Sequence, residues 1–190
     1  SPRVLFDPQH TVNHWIDLPL EIMDLIIQYM TENDIQMSRL VCKDWREALS
    51  SCIVTLKPRS FDMVYHHAFK NIVELDLTDC CGTLMDDNLV KGLVGLQGLH
   101  KLNLADCTHL TDASMTAMFG HEDSSLRNLR WLSLHHCTKI TDKTVFALCG
   151  GYPQLAYTSI IEYLDLSGCI LLTDASTKCI GYRMPYLQDL

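Results

Sequence analysis

The nine residues LRWLSLHHC at 129–137 decide the fold, because the same pattern stands in register at three other places: IVELDLTDC at 72–80, LHKLNLADC at 99–107 and IEYLDLSGC at 161–169. Each copy reads L-x-x-L-x-L-x-x-C, and the successive cysteines lie 27, 30 and 32 residues apart. One copy would mean little. Four in register describe one short strand and a returning helix per turn, stacked so that each unit buries the apolar face its neighbour cannot cover alone. Strand alternation then assigns the faces. Leu75 and Leu77, Leu102 and Leu104, Leu132 and Leu134, and Leu164 and Leu166 point inward, and the residues between them point to solvent.

Working outward from the strands, Cys80, Cys107, Cys137 and Cys169 end each one where the chain turns. A thiol is small enough for that narrow stack and can donate weakly to a carbonyl. The segments LTDASM, ITDKTV and LTDAST open the helices, with Thr111 or Asp112, Thr141 or Asp142, and Thr173 or Asp174 available as caps. Met115 and Met118, and Val145 and Leu148, are expected to face the strands. The final LQDL repeats the first four positions of the signature and stops, so the last inner face is expected to be covered by further chain or by something else. These copies resemble the cysteine-containing class of leucine-rich repeats, which implies a solenoid with a parallel concave sheet and convex helices. Four repeats and the start of a fifth are expected over residues 58–190.

Ahead of them, residues 1–14 carry two prolines and no periodicity and read as a leader. Structure is expected from WIDLPLEIMDLIIQYM, where Asp17 can cap a helix whose first turn holds Pro19 and Glu21. Ile22, Leu25, Ile26, Tyr29 and Met30 recur at helical spacing. A second short helix is expected after Asp34, with Ile35, Met37 and Leu40. A third is expected over VCKDWREAL, with Val41, Trp45 and Leu49 on one face. So small a module cannot bury all these apolar side chains, which leaves some for a partner. LPLEIMDLIIQYM followed by DIQMSRLVCKDWREAL is similar to the F-box; the resemblance covers roughly residues 15–50, within an F-box-like helical module expected over 15–57.

That resemblance implies binding to a Skp1-like adaptor and, through it, to a cullin-based ubiquitin ligase. The matching positions are Leu18, Pro19, Ile22, Ile26, Met30, Ile35, Val41, Cys42 and Trp45. The leucine-tryptophan pair that many F-boxes carry further on is missing from SCIVTLKPRSF. Together the two resemblances imply an α/β chain, a three-helix F-box module followed by a short solenoid, acting as a non-catalytic substrate-recognition adaptor. A protein-interaction scaffold in which the helices merely cap the solenoid is the alternative.

On the open sheet face the outward residues form columns: Glu74, Lys101, Trp131 and Tyr163; then Asp76, Asn103, Ser133 and Asp165; then Thr78, Ala105, His135 and Ser167; and at the strand ends Asp79, Asp106, His136 and Gly168. Aromatic side chains anchor many protein interfaces, so Trp131 and Tyr163 are the expected hot spot for a target protein. Glu74, Asp76, Lys101, Asn103, Ser133, His135 and Asp165 surround them, and the acidic groups favour a ligand carrying lysine or arginine. Extra residues around HEDSS and AYTSI, before the third and fourth strands, mark a candidate binding edge.

Composition narrows the classes. Apolar residues make up 47% and charged residues 20% of the 190, with 15 basic against 23 acidic side chains and a net charge of -8. That balance disfavours nucleic acid and anionic membranes as partners. Nine cysteines, four of them at one repeat position, fit buried thiols in a reducing compartment better than bridges. With no long apolar run and no signal-like start in SPRVLFDPQH, a cytoplasmic or nuclear protein is expected. No cofactor or metal is expected: His66 and His67, Cys80 and Cys81, and His135, His136 and Cys137 lack a paired Cys-x-x-Cys, and strand alternation argues against adjacent residues converging. A Ser133, His135 and Asp165 triad would lie on an open sheet with nothing to exclude water, and no catalytic motif occurs. Phosphorylated ligands find only Lys101, Arg127 and Arg130.

Overall fold

Leucine alternating with polar residues is a strand pattern with one dry face, and in each repeat that strand is only three residues long. A computed structural model of the protein describes residues 20–41, 43–52, 55–59, 61, 71–119, 126, 128–150 and 159–190. The chain divides into two units, residues 1–53 and 54–190. In the second, β1 (Thr55–Leu56), β2 (Glu74–Asp76), β3 (Lys101–Asn103), β4 (Trp131–Ser133) and β5 (Tyr163–Asp165) form one parallel sheet in chain order. Its register aligns Leu56, Leu75, Leu102, Leu132 and Leu164 in a single row. The last four of these are at most 1% exposed. Thr55 and Leu56, which the sequence reading grouped with the helices, are therefore the first strand of the sheet.

The ladder continues past the strands. Leu77, Leu104 and Leu134 donate their N–H groups to the carbonyls of Asn103, Ser133 and Asp165 in the following repeat, at 2.9, 2.9 and 2.8 Å, and their side chains are fully buried. Leu166, expected to match them, is only half-buried. Among the described residues, four helices return the chain: α4 (Asp86–Leu93), α5 (Asp112–Phe119), α6 (Asp142–Leu148) and α7 (Asp174–Arg183), each packed on the next. Met115, Met118, Val145 and Leu148 are buried as their spacing predicts. This is an α/β fold in which a parallel five-stranded sheet is flanked by helices.

The cysteines close the strand ends from inside. The thiols of Cys80, Cys137 and Cys169 donate to the carbonyls of Pro58, Leu104 and Leu134, at 2.9, 3.2 and 3.1 Å, so each ties its repeat to the segment before it. Burial pushes the Cys137 thiol up to about 12 and that of Cys169 to about 11, with Cys107 and Cys149 also raised. Thiolates are the nucleophiles, so these side chains are inert structural groups.

Threonine and aspartate, interchangeable as caps in sequence, divide the work at the helix starts. Thr111, Thr141 and Thr173 are the caps: each Oγ1 accepts the N–H two residues on, at 3.2–3.3 Å. The aspartates reach forward to the next repeat. Asp86 accepts from the N–H and hydroxyl of Thr111, Asp112 from those of Thr141, and Asp142 from those of Thr173. Asp112 also accepts from Thr144 Oγ1 at 2.7 Å, and Asp142 from Ser176. Burial of Asp112 works to raise its carboxyl, yet the bonds from Thr141 and Thr144 hold it below the usual range. The Ser176 hydroxyl, followed by Thr173, does the same for Asp142.

In the first unit α1 (Leu20–Gln28), α2 (Glu32–Val41) and α3 (Lys43–Cys52) are three short helices, with α3 packed on both others. Met23 and Leu49 are its buried centre, with Ile26, Ile27, Met30 and Trp45 packed against them. Helix α2 starts earlier than expected. Thr31 caps it, its Oγ1 accepting the Asp34 N–H at 3.2 Å while the Asp34 carboxylate accepts the Thr31 N–H at 2.9 Å, a reciprocal box that makes Asp34 the third helical residue and not the boundary. Val41 correspondingly ends α2 instead of sharing the face of Trp45 and Leu49. The 1–14 leader, Asp17, Leu18, Pro19 and Cys42 lie outside the described residues.

Candidate functional site

The open sheet face carries the most distinctive side chains of the second unit, and strand register explains their order. Glu74, Lys101, Trp131 and Tyr163 are mutual partners across β2 to β5, so neighbouring side chains stand one strand spacing apart and on one side of the sheet. The Trp131 and Tyr163 rings stack at 4.8 Å between centroids and 5° between planes. Lys101 Nζ sits 4.8 Å from the Trp131 ring centre. Cation, indole and phenol thus form one continuous pile, held by ring stacking and by attraction of the ammonium to the π face. Arg130 and Glu162, directly before the same two strands, are joined by an ion pair. All three members of the pile are half-buried, presenting edges that a partner can cover.

The second column does something else. Thr78 N–H donates to Asp76 Oδ1 at 3.0 Å, Ala105 N–H to Asn103 Oδ1 at 3.1 Å, His135 N–H to Ser133 Oγ at 3.4 Å, and Ser167 N–H to Asp165 Oδ1 at 2.9 Å. In all four repeats the side chain accepts the backbone N–H two residues on, which is the turn that ends the strand. Turn geometry therefore accounts for these four residue types without a ligand. The acidic groups are further satisfied from within: Lys57 lies 3.7 Å from Asp76 and 3.4 Å from Asp79, and Asp76, despite its burial, is held below the usual carboxyl range by Thr78 and Lys57. Lys57 is raised in return, chiefly by Asp76. Lys57 was not among the residues singled out from sequence, since its distance from Asp76 along the chain gives no local sign of the pairing.

Just past the strands the chain does what alternation argues against. Asp106 and His136 occupy the left-handed region at φ 61° and 56°, as does Gly168 at 75°. That turn swings His136 back beside His135, the two rings stacking at 4.3 Å, and sets His136 Nδ1 3.3 Å from Asp106 Oδ1. Adjacent histidines thus converge after all, because the strand has already ended. His135 Nδ1 lies 2.6 Å from Ser167 Oγ, and Ser167 Oγ donates to Asp165. The Ser133 hydroxyl faces Asp165 at 3.4 Å instead of His135. A hydrolytic triad needs the imidazole between serine and carboxylate; here a serine stands between imidazole and carboxylate. Of the loop insertions, HEDSS and most of AYTSI lie outside the described residues, as do Arg127, His66 and His67.

In the first unit, α1 and α2 leave Leu25, Tyr29, Met37 and Val41 51%, 86%, 56% and 70% exposed. Ile22 and Ile35 are half-buried. Ile26, Met30 and Trp45 take part in the small core. Large apolar groups left in solvent on a unit this small are suited to burial against another protein. No helix among the described residues is long and apolar enough to cross a membrane.

Comparison with known proteins agrees with the helical end. No curated protein matches the chain. Among solved structures, a chain from the crystal structure of the Rad7 and Elc1 complex in yeast matches 77% of this chain at 17% identity with a TM-score of 0.47; the present chain spans 44% of that chain's length. Residues 15–57 match the F-box domain, so the three helices and the residues directly before and after them carry an F-box.

Proposed function

We propose that this chain is a target-recognition subunit of a Skp1, cullin and F-box ubiquitin ligase, with no bond chemistry of its own. The observation that carries the reading is the F-box match over residues 15–57. The exposed apolar side chains Leu25, Tyr29, Met37 and Val41 support it. On this reading Leu18, Pro19, Ile22, Ile35, Val41 and Cys42 meet the adaptor directly. Ile26, Met30 and Trp45 act from beneath, by holding the helices in place. Met37 joins the contact surface, on the strength of its exposure.

The solenoid holds the target, and the Lys101, Trp131 and Tyr163 pile is its anchor, with Glu74 alongside. His135 flanks this patch. Asp76, Asn103, Ser133 and Asp165 shape the strand ends and contribute to the target mainly by keeping that patch in position. Tethering both ends on one chain raises the effective concentration of target lysines near the ubiquitin-carrying enzyme.

Affinity purification of the full chain from cells, probed for Skp1 and cullin, tests the first half. Replacing Leu18 and Pro19 together by alanine is expected to remove both partners while the circular dichroism of the repeats stays unchanged. Undiminished recovery of Skp1 with that variant would reject the interface. For the second half, quantitative mass spectrometry of co-purified proteins with Trp131→Ala/Tyr163→Ala is expected to show loss of a subset of partners and retention of Skp1; an unchanged partner list would reject the patch.

A further inference from the structure

The convergence of Asp106, His135 and His136, beside the docking patch proposed above, has the chemistry of a metal site. Each of the three offers one donor atom, and these donors all lie within 4.8 Å of one another. Tetrahedral ligands at zinc's usual bond lengths stand about 3.3–3.5 Å apart. Closing that gap takes rotations of the Asp106 and His136 side chains, both of which are exposed. His135, half-buried, is the fixed member.

Hydrogen bonding sets its tautomer. Ser167 Oγ has one proton and donates it to Asp165, so at the 2.6 Å contact it accepts from His135 Nδ1. Neutral His135 therefore carries its proton on Nδ1 and leaves the Nε2 lone pair available. A ligating histidine whose other nitrogen donates into a hydroxyl and carboxylate relay is the arrangement that orients metal-binding imidazoles and raises their basicity.

Position in the repeat supplies an independent argument. His136 reaches the cluster only because its ring lies over Gly168: a Cβ on that glycine would stand 1.9 Å from His136 Cδ2. Of the three left-handed positions, the one that lacks a side chain is the one the imidazole has to cross. Asp106 meets the ring from the other neighbouring repeat. Three successive repeats thus contribute a carboxylate, two imidazoles, and a gap with a supporting relay.

We infer that Asp106, His135 and His136 form a binding site for a divalent transition-metal ion of the zinc class. Two imidazoles and one carboxylate suit zinc, copper or nickel and not the all-oxygen preferences of magnesium or calcium. Three protein ligands leave a fourth position for water or an incoming group. The site is independent of the adaptor reading above, and its test does not involve Skp1.

Chelator-treated full chain titrated with zinc chloride at pH 7.5 by calorimetry is expected to bind one equivalent at this site with a dissociation constant on the order of micromolar. His135→Gln, His136→Asn and Asp106→Asn should each weaken that event by about tenfold or more; asparagine at 106 and 136 is chosen because it tolerates the left-handed backbone. Cobalt titration separates this site from the thiols: the cobalt bound with highest affinity should show weak visible bands without the intense near-ultraviolet thiolate band. Binding unchanged in the His135→Gln/His136→Asn double variant, a thiolate band on the first equivalent, or no binding at millimolar zinc would each overturn the assignment.

Discussion

Replacing Asp112 by alanine isolates the contact that joins one repeat to the next. The carboxylate accepts the Thr141 N–H at 2.8 Å, the Thr141 hydroxyl at 2.7 Å and the Thr144 hydroxyl at 2.7 Å. Bonds to a charged acceptor contribute about 1.5–3 kcal/mol each when shielded. Asp112 and Thr141 are only half-buried, so water recovers much of the Thr141 contribution, and the simple sum overstates the loss. Thr144 is different. It is 0% exposed, and stranding its hydroxyl costs roughly 1–3 kcal/mol by itself.

A total of about 2–4 kcal/mol follows for Asp112→Ala, and about half that for Asp112→Asn, which keeps one acceptor oxygen but no charge. Asp87→Ala is the matched control, because Asp87 is an exposed first-turn carboxylate of α4 with the same favourable position at a helix start, a term of about 0.3–1 kcal/mol. Urea unfolding of the full chain, followed by circular dichroism, measures all three. Hydrogen exchange should show the Thr141 amide losing protection in Asp112→Ala, and the urea slope falling if the repeats on either side uncouple. Equal midpoints for Asp112→Ala and Asp87→Ala would refute the idea that the aspartate row couples the repeats.

Acid should attack the same contacts. Asp76, Asp112, Asp142 and Asp165 all have carboxyls lowered in the fold, so the stability they add is complete above the unfolded aspartate value of about 4 and is lost as pH falls through the lowered values. A pH titration of the urea midpoint should therefore drop steeply below about pH 4, and less so in Asp112→Asn; an identical acid limb in the two proteins contradicts the linkage. The raised, buried thiols make a further prediction: brief iodoacetamide treatment of the native chain at pH 8 should label the half-exposed Cys81 and Cys179 and spare Cys107, Cys137 and Cys169. Labelling of Cys137 as fast as Cys81, read by peptide mass spectrometry, would contradict its structural role.

The repeated leucines were legible because each reports on its own burial: a two-residue period needs no knowledge of partners. The aspartate row was not. Asp112 finds Thr141 29 positions away, and a threonine-aspartate pair before a helix has a sufficient local explanation as a cap, so the longer-range partner left no separate trace. The same limit moved the start of α2, where Thr31 and Asp34 both look like caps until their mutual bonds show that only Thr31 is one. Strand length was the third gap. Alternation extrapolated from Leu132 and Leu134 places His135 and His136 on opposite sides, but β4 stops at Ser133, and a left-handed residue then reverses the rule.

Chemical variety within a column separates positions under a backbone demand from positions free of one more sharply than exposure does. The strand-end column contains Asp76, Asn103, Ser133 and Asp165, four short side chains with an acceptor oxygen, because one backbone N–H per repeat must be met there. A longer or apolar side chain would leave that donor unsatisfied, so the column can vary only among acceptors. The left-handed positions just past β3, β4 and β5 are similarly held by Asp106, His136 and Gly168, types that tolerate positive φ. No such backbone demand acts on Glu74, Lys101, Trp131 and Tyr163, whose main chains are already paired in the sheet ladder. There the repeat architecture permits any side chain that suits a half-buried sheet surface. An acid, a base, an indole and a phenol at four equivalent positions are therefore not what stacking requires, and on the proposed reading this freedom leaves the column open to suit a target.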